Sequence, residues 1–459
     1  AARSDDPAVA AQALRQRLCL EQTWLETDAN LVGLAARTPA LVRDAVDDLV
    51  TILPPTGCTG AHVPSVPAPP APAIAARVRA IDARLREIAT VLAPLTRLAE
   101  VRALGAEVGA LGDGALASRW HSALASALML GGDTAGALAE LEQTARLAEA
   151  AGDDDGHARA MLDRLRVGFS RGDGDLERLR ADAEAAAQRL GNPAIDAEVA
   201  LGVALMQISR GDAATARRAI EGALARYEPI AIDAHARIIA MWQNLGGACQ
   251  AMGDLDAAQR AFDRGLALAH ARWGDDHPET LELRGARATN LMYRGDLAAA
   301  EPELVAVAAG LTRQLGLASP TVMQARAYLC ELALERRDPA RALAACRDAL
   351  ASGEAAFGAD SPQLGWPLTL QAQAQLASGA PADAVRSAER ALAGYAHGTL
   401  APTDIPLAQA YLAIALDRTG ARDRARALAG SVARTLASMP DLAATLAELR
   451  AQFPGLPSE

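Results

Sequence analysis

From about residue 115 to residue 440, apolar and polar positions recur with the three-to-four-residue period of amphipathic helices. The helical stretches come in pairs joined by a short turn that is usually Gly-Asp. The turn falls at Gly132, Gly172, Gly211, Gly253, Gly295, Arg337, Gly379 and Gly420, at intervals of 40, 39, 42, 42, 42, 42 and 41 residues. Five residues after it the side chain is small in every copy but one: Ala137, Ala216, Ala258, Ala300, Ala342, Ala384 and Ala425, with Glu177 the exception. Seven residues before it lie Ala125, Ala204, Gly246, Ala288, Cys330, Ala372 and Ala413, with Leu165 in the same deviant copy. Small residues at both places let two antiparallel helices approach closely, so each copy predicts a helical hairpin. A degenerate ninth hairpin without a turn glycine is predicted over Ile81 to Leu111. The pattern predicts an all-α solenoid of about eight or nine hairpins.

The flanks read differently. Residues 1–53 predict a small N-terminal pair of amphipathic helices, separated at Thr38-Pro39. Residues 54–73 are rich in Pro, Ala and Val, the composition of an extended, semi-rigid linker that cannot build a core. The repeats then occupy 74–440, and 441–459 predict a terminal capping helix and a tail, since a repeat stack needs a closing element.

Composition removes whole classes of chemistry. All 45 basic residues are arginine, so a Walker-type phosphate loop, a protein-kinase catalytic core and a Schiff-base lysine are excluded from this chain. The net charge is −11 and the arginines are interleaved with carboxylates, which argues against nucleic-acid binding. No apolar stretch predicts a membrane span, and the first residues lack a signal-peptide pattern. The chain begins at Ala1, which suggests a segment of something longer. The seven histidines and five cysteines show no metal-ligand spacing; His270, Asp275, Asp276 and His277 form the best ligand group, in a connector rich in capping residues. No catalytic, cofactor or metal site is expected. Cys330 and Cys346, in one hairpin, are expected as buried thiols rather than a bridge. Cys19 and Cys58 would meet at one end of two antiparallel helices, and a bridge between them would stabilise a poorly cored element in an oxidising compartment; reduced thiols are the alternative.

In the copy from Met241 to Leu268, Trp242, Leu245, Gly246, Gly253, Ala258 and Phe262 fall at the spacing of the tetratricopeptide pattern, which this copy closely resembles. Its usual unit is about 34 residues. The longer unit here, with connectors such as Gly274-Asp-Asp-His-Pro278, Gly316-Leu-Ala-Ser-Pro320 and Gly358-Ala-Asp-Ser-Pro362, is similar to the kinesin-light-chain subtype. In those connectors Gly ends one helix, Ser319 or Ser361 is placed to cap the next, and Pro320 or Pro362 fits its first position. The resemblance implies a right-handed superhelix whose concave face is lined by the first helix of each hairpin, where a resident asparagine often clamps a bound backbone. Asn244 matches that position, and in the same register Gln243, Gln250, Asn290, Tyr293, Gln324, Tyr328, Gln373 and Tyr411 are candidate groove residues for a protein or peptide ligand. Self-association of the chain is a further open expectation.

Cys19-Leu-Glu-Gln-Thr-Trp24, the helix ending Val50-Thr-Ile-Leu-Pro-Pro55, Cys58 and the Pro-rich linker together resemble the region after the membrane helix of bacterial receptor serine/threonine kinases. That resemblance implies an extracytoplasmic (periplasmic) sensory region, with the kinase elsewhere in the full protein. A stand-alone cytoplasmic adaptor or scaffold, and the regulatory arm of a larger enzyme or transcription regulator, are the alternatives.

Overall fold

The computed structural model describes residues 12–21, 23–24, 58, 63–91, 94–130, 133–171, 175–229, 236–395, 403–439 and 442–456. The predicted second N-terminal helix and the turns at Gly132 and Gly172 lie outside them. The described residues contain no strand. They are helical over 12–21, and then form nineteen helices: α1 Ala75–Val91, α2 Pro94–Leu111, α3 Gly114–Leu130, α4 Thr134–Ala151, α5 Asp154–Arg171, α6 Leu176–Leu190, α7 Pro193–Ser209, α8 Ala213–Tyr227, α9 Ala236–Ala251, α10 Leu255–Trp273, α11 Pro278–Tyr293, α12 Leu297–Leu315, α13 Pro320–Glu335, α14 Pro339–Phe357, α15 Gly365–Ala377, α16 Pro381–Tyr395, α17 Asp404–Arg418, α18 Arg422–Ala437 and α19 Ala443–Gln452. None of the described helices is long and apolar enough to cross a membrane. The chain divides into two compact units, Ala1–Met206 with Arg218–Ile238, and Gln207–Arg217 with Ile239–Glu459.

In the first unit, α1 and α2 form the turn-glycine-free hairpin the sequence predicts. Ile81, Leu85 and Ile88 of α1 share a core with Val101 and Val108 of α2 and Leu116 and Leu124 of α3. The Trp120 indole donates to the Val101 carbonyl at 2.7 Å, which satisfies its polar atom as the ring packs. Cys19 and Cys58 are disulfide-bonded, with Cα atoms 5.6 Å apart, and Val63 and Val66 pack against the bridge. The proline-rich segment is tied to the repeats as well: the Ser65 amide donates to Asp154 Oδ2 at 2.7 Å and the Asp154 amide to the Ser65 carbonyl at 3.1 Å. Its prolines keep it extended, while the two hydrogen bonds, one to the Asp154 carboxylate and one from its amide, anchor it at α5.

In the second unit the repeat is regular. The alanines five residues after each turn are all fully buried, including Ala258, Ala300, Ala342, Ala384 and Ala425. In two copies the residue seven before the turn meets the residue nine after it. Gly246 faces the Phe262 ring, and a Cβ built on Gly246 would run into that ring. Cys330 meets Cys346 at the same two positions and bonds to it, Cα to Cα 5.1 Å. The expectation of two free thiols is therefore corrected, because the hairpin brings their Cα atoms within bridging distance. Elsewhere the same two positions hold Ala288 and Leu304, Ala372 and Ala388, and Ala413 and Ala429, all buried and each two within one core cluster.

Backbone conformation explains the punctuation. The described hairpin turns are left-handed at Gly211, Gly253, Gly295, Gly379 and Gly420; Arg337, with φ 57°, is the one non-glycine residue among the described residues to take positive φ. The following Asp caps the second helix: Asp254, Asp296 and Asp338 accept from the amides of Ala257, Ala299 and Arg341. In the connectors, Gly274, Gly316 and Gly358 combine φ of 76° to 85° with ψ of 161° to 178°, a region almost closed to side-chain-bearing residues. Ser361 caps as expected, accepting from the Gln363 amide. Ser319 makes no side-chain cap, and in the remaining connector His277 does, accepting from the Glu279 amide.

Candidate functional site

The first helices of the hairpins in the second unit, α9, α11, α13, α15 and α17, carry the candidate groove residues. On α13, Gln324, Tyr328, Glu331 and Glu335 stand at i, i+4, i+7 and i+11, the spacing that places side chains in one stripe along a helix. Gln324 and Glu335 are exposed, and Tyr328 and Glu331 half-buried. Neighbouring helices add to the stripe. The Tyr293 hydroxyl, from the end of α11, donates to Glu331 Oε1 at 3.3 Å, and the Trp366 ring of α15 packs edge-on against Tyr328 with centroids 5.0 Å apart. Gln324 lies within hydrogen-bonding reach of the Tyr328 hydroxyl.

Burial dominates the electrostatics here. It pushes the Glu331 carboxyl up to about 7, opposed by the Tyr293 hydrogen bond and reinforced by Glu335 one turn on. Burial likewise pushes the Tyr328 phenol up to about 12 and the Tyr293 phenol further. Glu282, in the register that Gln324 and Trp366 hold one and two repeats later, is also raised by burial.

The arginines on and just after α11 and α13 bond instead to the second helices. Arg284 pairs with Glu303, Arg287 with Asp263 at 3.6 Å, Arg294 with Asp256, and Arg336 with Glu301 at 2.8 Å. Arg326 donates to the Asp348 carbonyl and to Ser352 Oγ at 3.0 Å. The outward ion-pair layer thus uses the cations and leaves carboxylates on the stripe.

Other candidates are placed elsewhere. Asn290 is fully buried and its Nδ2 donates to the Leu255 carbonyl and to Gln259 Oε1, both at 3.0 Å, so it is a core amide and not a groove residue. Its register explains this: Ala248, Leu332, Ala374 and Ala415 occupy the same position and are all buried. Tyr411 shares the register of Asn244 and Tyr328 but is 4% exposed, because α19 closes over it with Leu446, Leu449 and Phe453. Its phenol, raised by burial, sits beside Thr445 and Glu448. Asn244 is half-buried and its Nδ2 donates to the Ala240 carbonyl of its own helix at 2.8 Å. Gln243, Gln250 and Gln373 are half-buried. In the connector, His270 bonds Asp275 at 2.6 Å, His277 stacks on Trp273 and caps α11, and Asp276 approaches Arg313. Those contacts are structural.

Glu331, Glu335 and Trp366 were not among the residues named from sequence. The signal for the two glutamates was available: the stripe begun by Gln324 and Tyr328, continued at helical spacing, passes through both.

The hairpins and their 42-residue period define an all-α repeat fold of the tetratricopeptide type. Among solved structures with similar folds, the apo form of the quorum sensor NprR from B. thuringiensis is 11% identical, over 81% of this chain and 98% of that one, with a TM-score of 0.55. BtubC (BKLC) from P. vanneervenii is 18% identical over 51% of this chain and 91% of that one, TM-score 0.38. A putative kinesin light chain from Podosopora anserina with nearly identical TPR-like repeats is 18% identical over 44% and 96%, TM-score 0.36. No family model and no curated protein matches the sequence.

Proposed function

We propose that this chain is a protein- or peptide-binding repeat domain whose ligand lies along the first-helix stripes of the second unit, centred on α13. The observation that carries this reading is the stripe itself, where aromatic rings, amides and carboxylates are presented together on one face. Tyr328 and Trp366 also pack at the edge of the core, but the amides and carboxylates beside them do not serve packing, and side chains of these kinds suit peptide recognition. Asn244 is a secondary contact in this reading, since its amide donor already bonds its own helix.

Panning a random dodecapeptide library on the whole chain tests the proposal. Tyr328→Ser should weaken the enriched peptides about tenfold or more, as loss of a half-buried aromatic anchor does. Asn244→Ala should weaken them less than threefold. Enriched peptides indifferent to Tyr328→Ser would place the ligand elsewhere.

For the setting, the reading we favour is the extracytoplasmic sensory region of a bacterial receptor serine/threonine kinase, against a cytoplasmic adaptor or a regulatory arm. The two cysteine pairs, Cys19–Cys58 and Cys330–Cys346, support an oxidising compartment, where such bridges persist. Protein exported to a periplasm should then show one thiol outside a disulfide, Cys249. Five free thiols there would remove the support.

A further inference from the structure

The charge on the α13 stripe goes further than a peptide of unstated kind. Glu331 and Glu335 lie one helical turn apart with the Tyr293, Tyr328 and Trp366 rings beside them, and among the described residues neither carboxylate is paired with an arginine. Two carboxylates at that spacing repel, and desolvating one of them is costly unless a cation answers it. Aromatic faces beside carboxylates favour a guanidinium or ammonium, through the ring quadrupole and charge-assisted hydrogen bonds. The chain's own arginines, on α11 and α13, are engaged on the opposite side of these helices. These arginines therefore supply no cation to the stripe, and a ligand is free to do so.

We infer that the stripe receives an arginine or lysine side chain of an extended peptide, held between Tyr293, Tyr328 and Trp366 and neutralised by Glu331 and Glu335. This inference rests on the peptide-binding reading and adds the chemistry of the ligand. A pH dependence follows. The groups facing Glu331 are Tyr293 from α11, Tyr328 and Glu335 on its own helix, and Tyr411 from α17. On the other helices packed against α13, Glu301 of α12 pairs with Arg336 and Arg341, and α14 offers Arg326 the Asp348 carbonyl and the Ser352 hydroxyl. Among the described residues no positive group holds Glu331 ionised, so it is protonated below about pH 7 and charged above it. Affinity for a cation should rise about tenfold from pH 6 to pH 8, and Glu331→Gln should abolish that rise.

The test uses the enriched library peptides, remade with each arginine replaced by citrulline and each lysine by norleucine. On the native chain, neutral replacement should weaken binding at least tenfold. On the Glu331→Gln/Glu335→Gln variant, it should change binding less than twofold. An Asp276→Asn/Asp360→Asn variant, altered at two exposed carboxylates away from the stripe, should behave as native and so separates the site from the overall negative charge. Melting and helical circular dichroism confirm that each variant is folded. Peptides that need Tyr328 yet tolerate neutral replacement would overturn the cation and leave the peptide-binding reading. Peptides indifferent both to Tyr328→Ser and to the glutamate pair, or no enrichment at all, would overturn both. Arginine peptides that bind the double-glutamine variant as tightly as the native chain would reduce the effect to bulk acidity and sink the inference.

Discussion

The hairpin α9–α10 and the hairpin α13–α14 are the same unit two repeats apart, and they differ in opposite ways inside and outside. At the helix crossing, the first sets glycine against a phenylalanine ring, Gly246 with Phe262, and the second sets two half-sized side chains, Cys330 with Cys346, which bond covalently. On the open stripe, the first presents Ala240, Asn244, Gly247 and Ala251, and the second Gln324, Tyr328, Glu331 and Glu335. At least one side chain at the crossing is small in each of these copies, so its chemistry is interchangeable within the space that close packing leaves. The stripe is only partly packed by neighbours, so its side chains vary in size and charge from one repeat to another.

Gly246→Leu should break the comparison most sharply. Its added atoms would enter the space of the Phe262 ring, and overpacking of this kind costs about 3 kcal/mol. Urea denaturation of the variant should show it, and an unchanged midpoint would mean that α9 and α10 separate without penalty. Reducing Cys330–Cys346, or replacing both residues by serine, should cost about 2 to 3 kcal/mol, the amount a bridge closing so short a loop supplies. Hydrogen exchange should localise that loss to α13 and α14 and leave α9 and α10 unmoved; a loss spread evenly over both would contradict the local account.

Glu331→Gln probes the outside. Burial lifts the folded carboxyl to about 7, above its unfolded value of 4.5, so folding takes up a proton between those values. Stability from this group is fully present below pH 4.5 and is lost as the pH rises through 7. Glutamine, neutral throughout, should therefore raise stability above pH 7 by about 1 to 2 kcal/mol, less than the full shift implies because water still reaches the stripe. The gain should vanish near pH 5. A melting-temperature difference between variant and native that ignores pH would show that Glu331 is ordinarily solvated. The smallest effect concerns Arg337, whose left-handed conformation costs a side-chain-bearing residue about 1 kcal/mol or more. Arg337→Gly should recover about 0.5 kcal/mol, since glycine also gains freedom in the unfolded chain; a lower midpoint would show that the arginine side chain contributes more than its backbone strain removes.

Much of this was legible in the sequence. The period, the hairpins, the glycine and aspartate punctuation and the buried alanines five residues after each turn all follow from local rules, because each repeat packs chiefly on its neighbours in the chain. Half of the site was legible too. Tyr293, Gln324 and Tyr328 were candidates by register, and the glutamates continue their stripe at helical spacing. Misplaced were residues whose surroundings come from another element. Asn290 looked like a groove amide until α10 supplied the Leu255 carbonyl and Gln259, and Tyr411 looked open until α19 folded across it.

The sequence by itself therefore determined the repeat, since helical periodicity and turn chemistry act over a few residues, and it determined which chemistries are absent, since no lysine is present to perform them. Only the tertiary structure decided the partners. It joined Cys330 to Cys346 across the helix crossing, turned the arginines of α11 and α13 toward the second helices, and left Glu331 half-buried beside Tyr293, unpaired with any arginine among the described residues. Burial and ion pairing depend on which atoms arrive from elsewhere in the fold, and a linear pattern carries no record of that arrival.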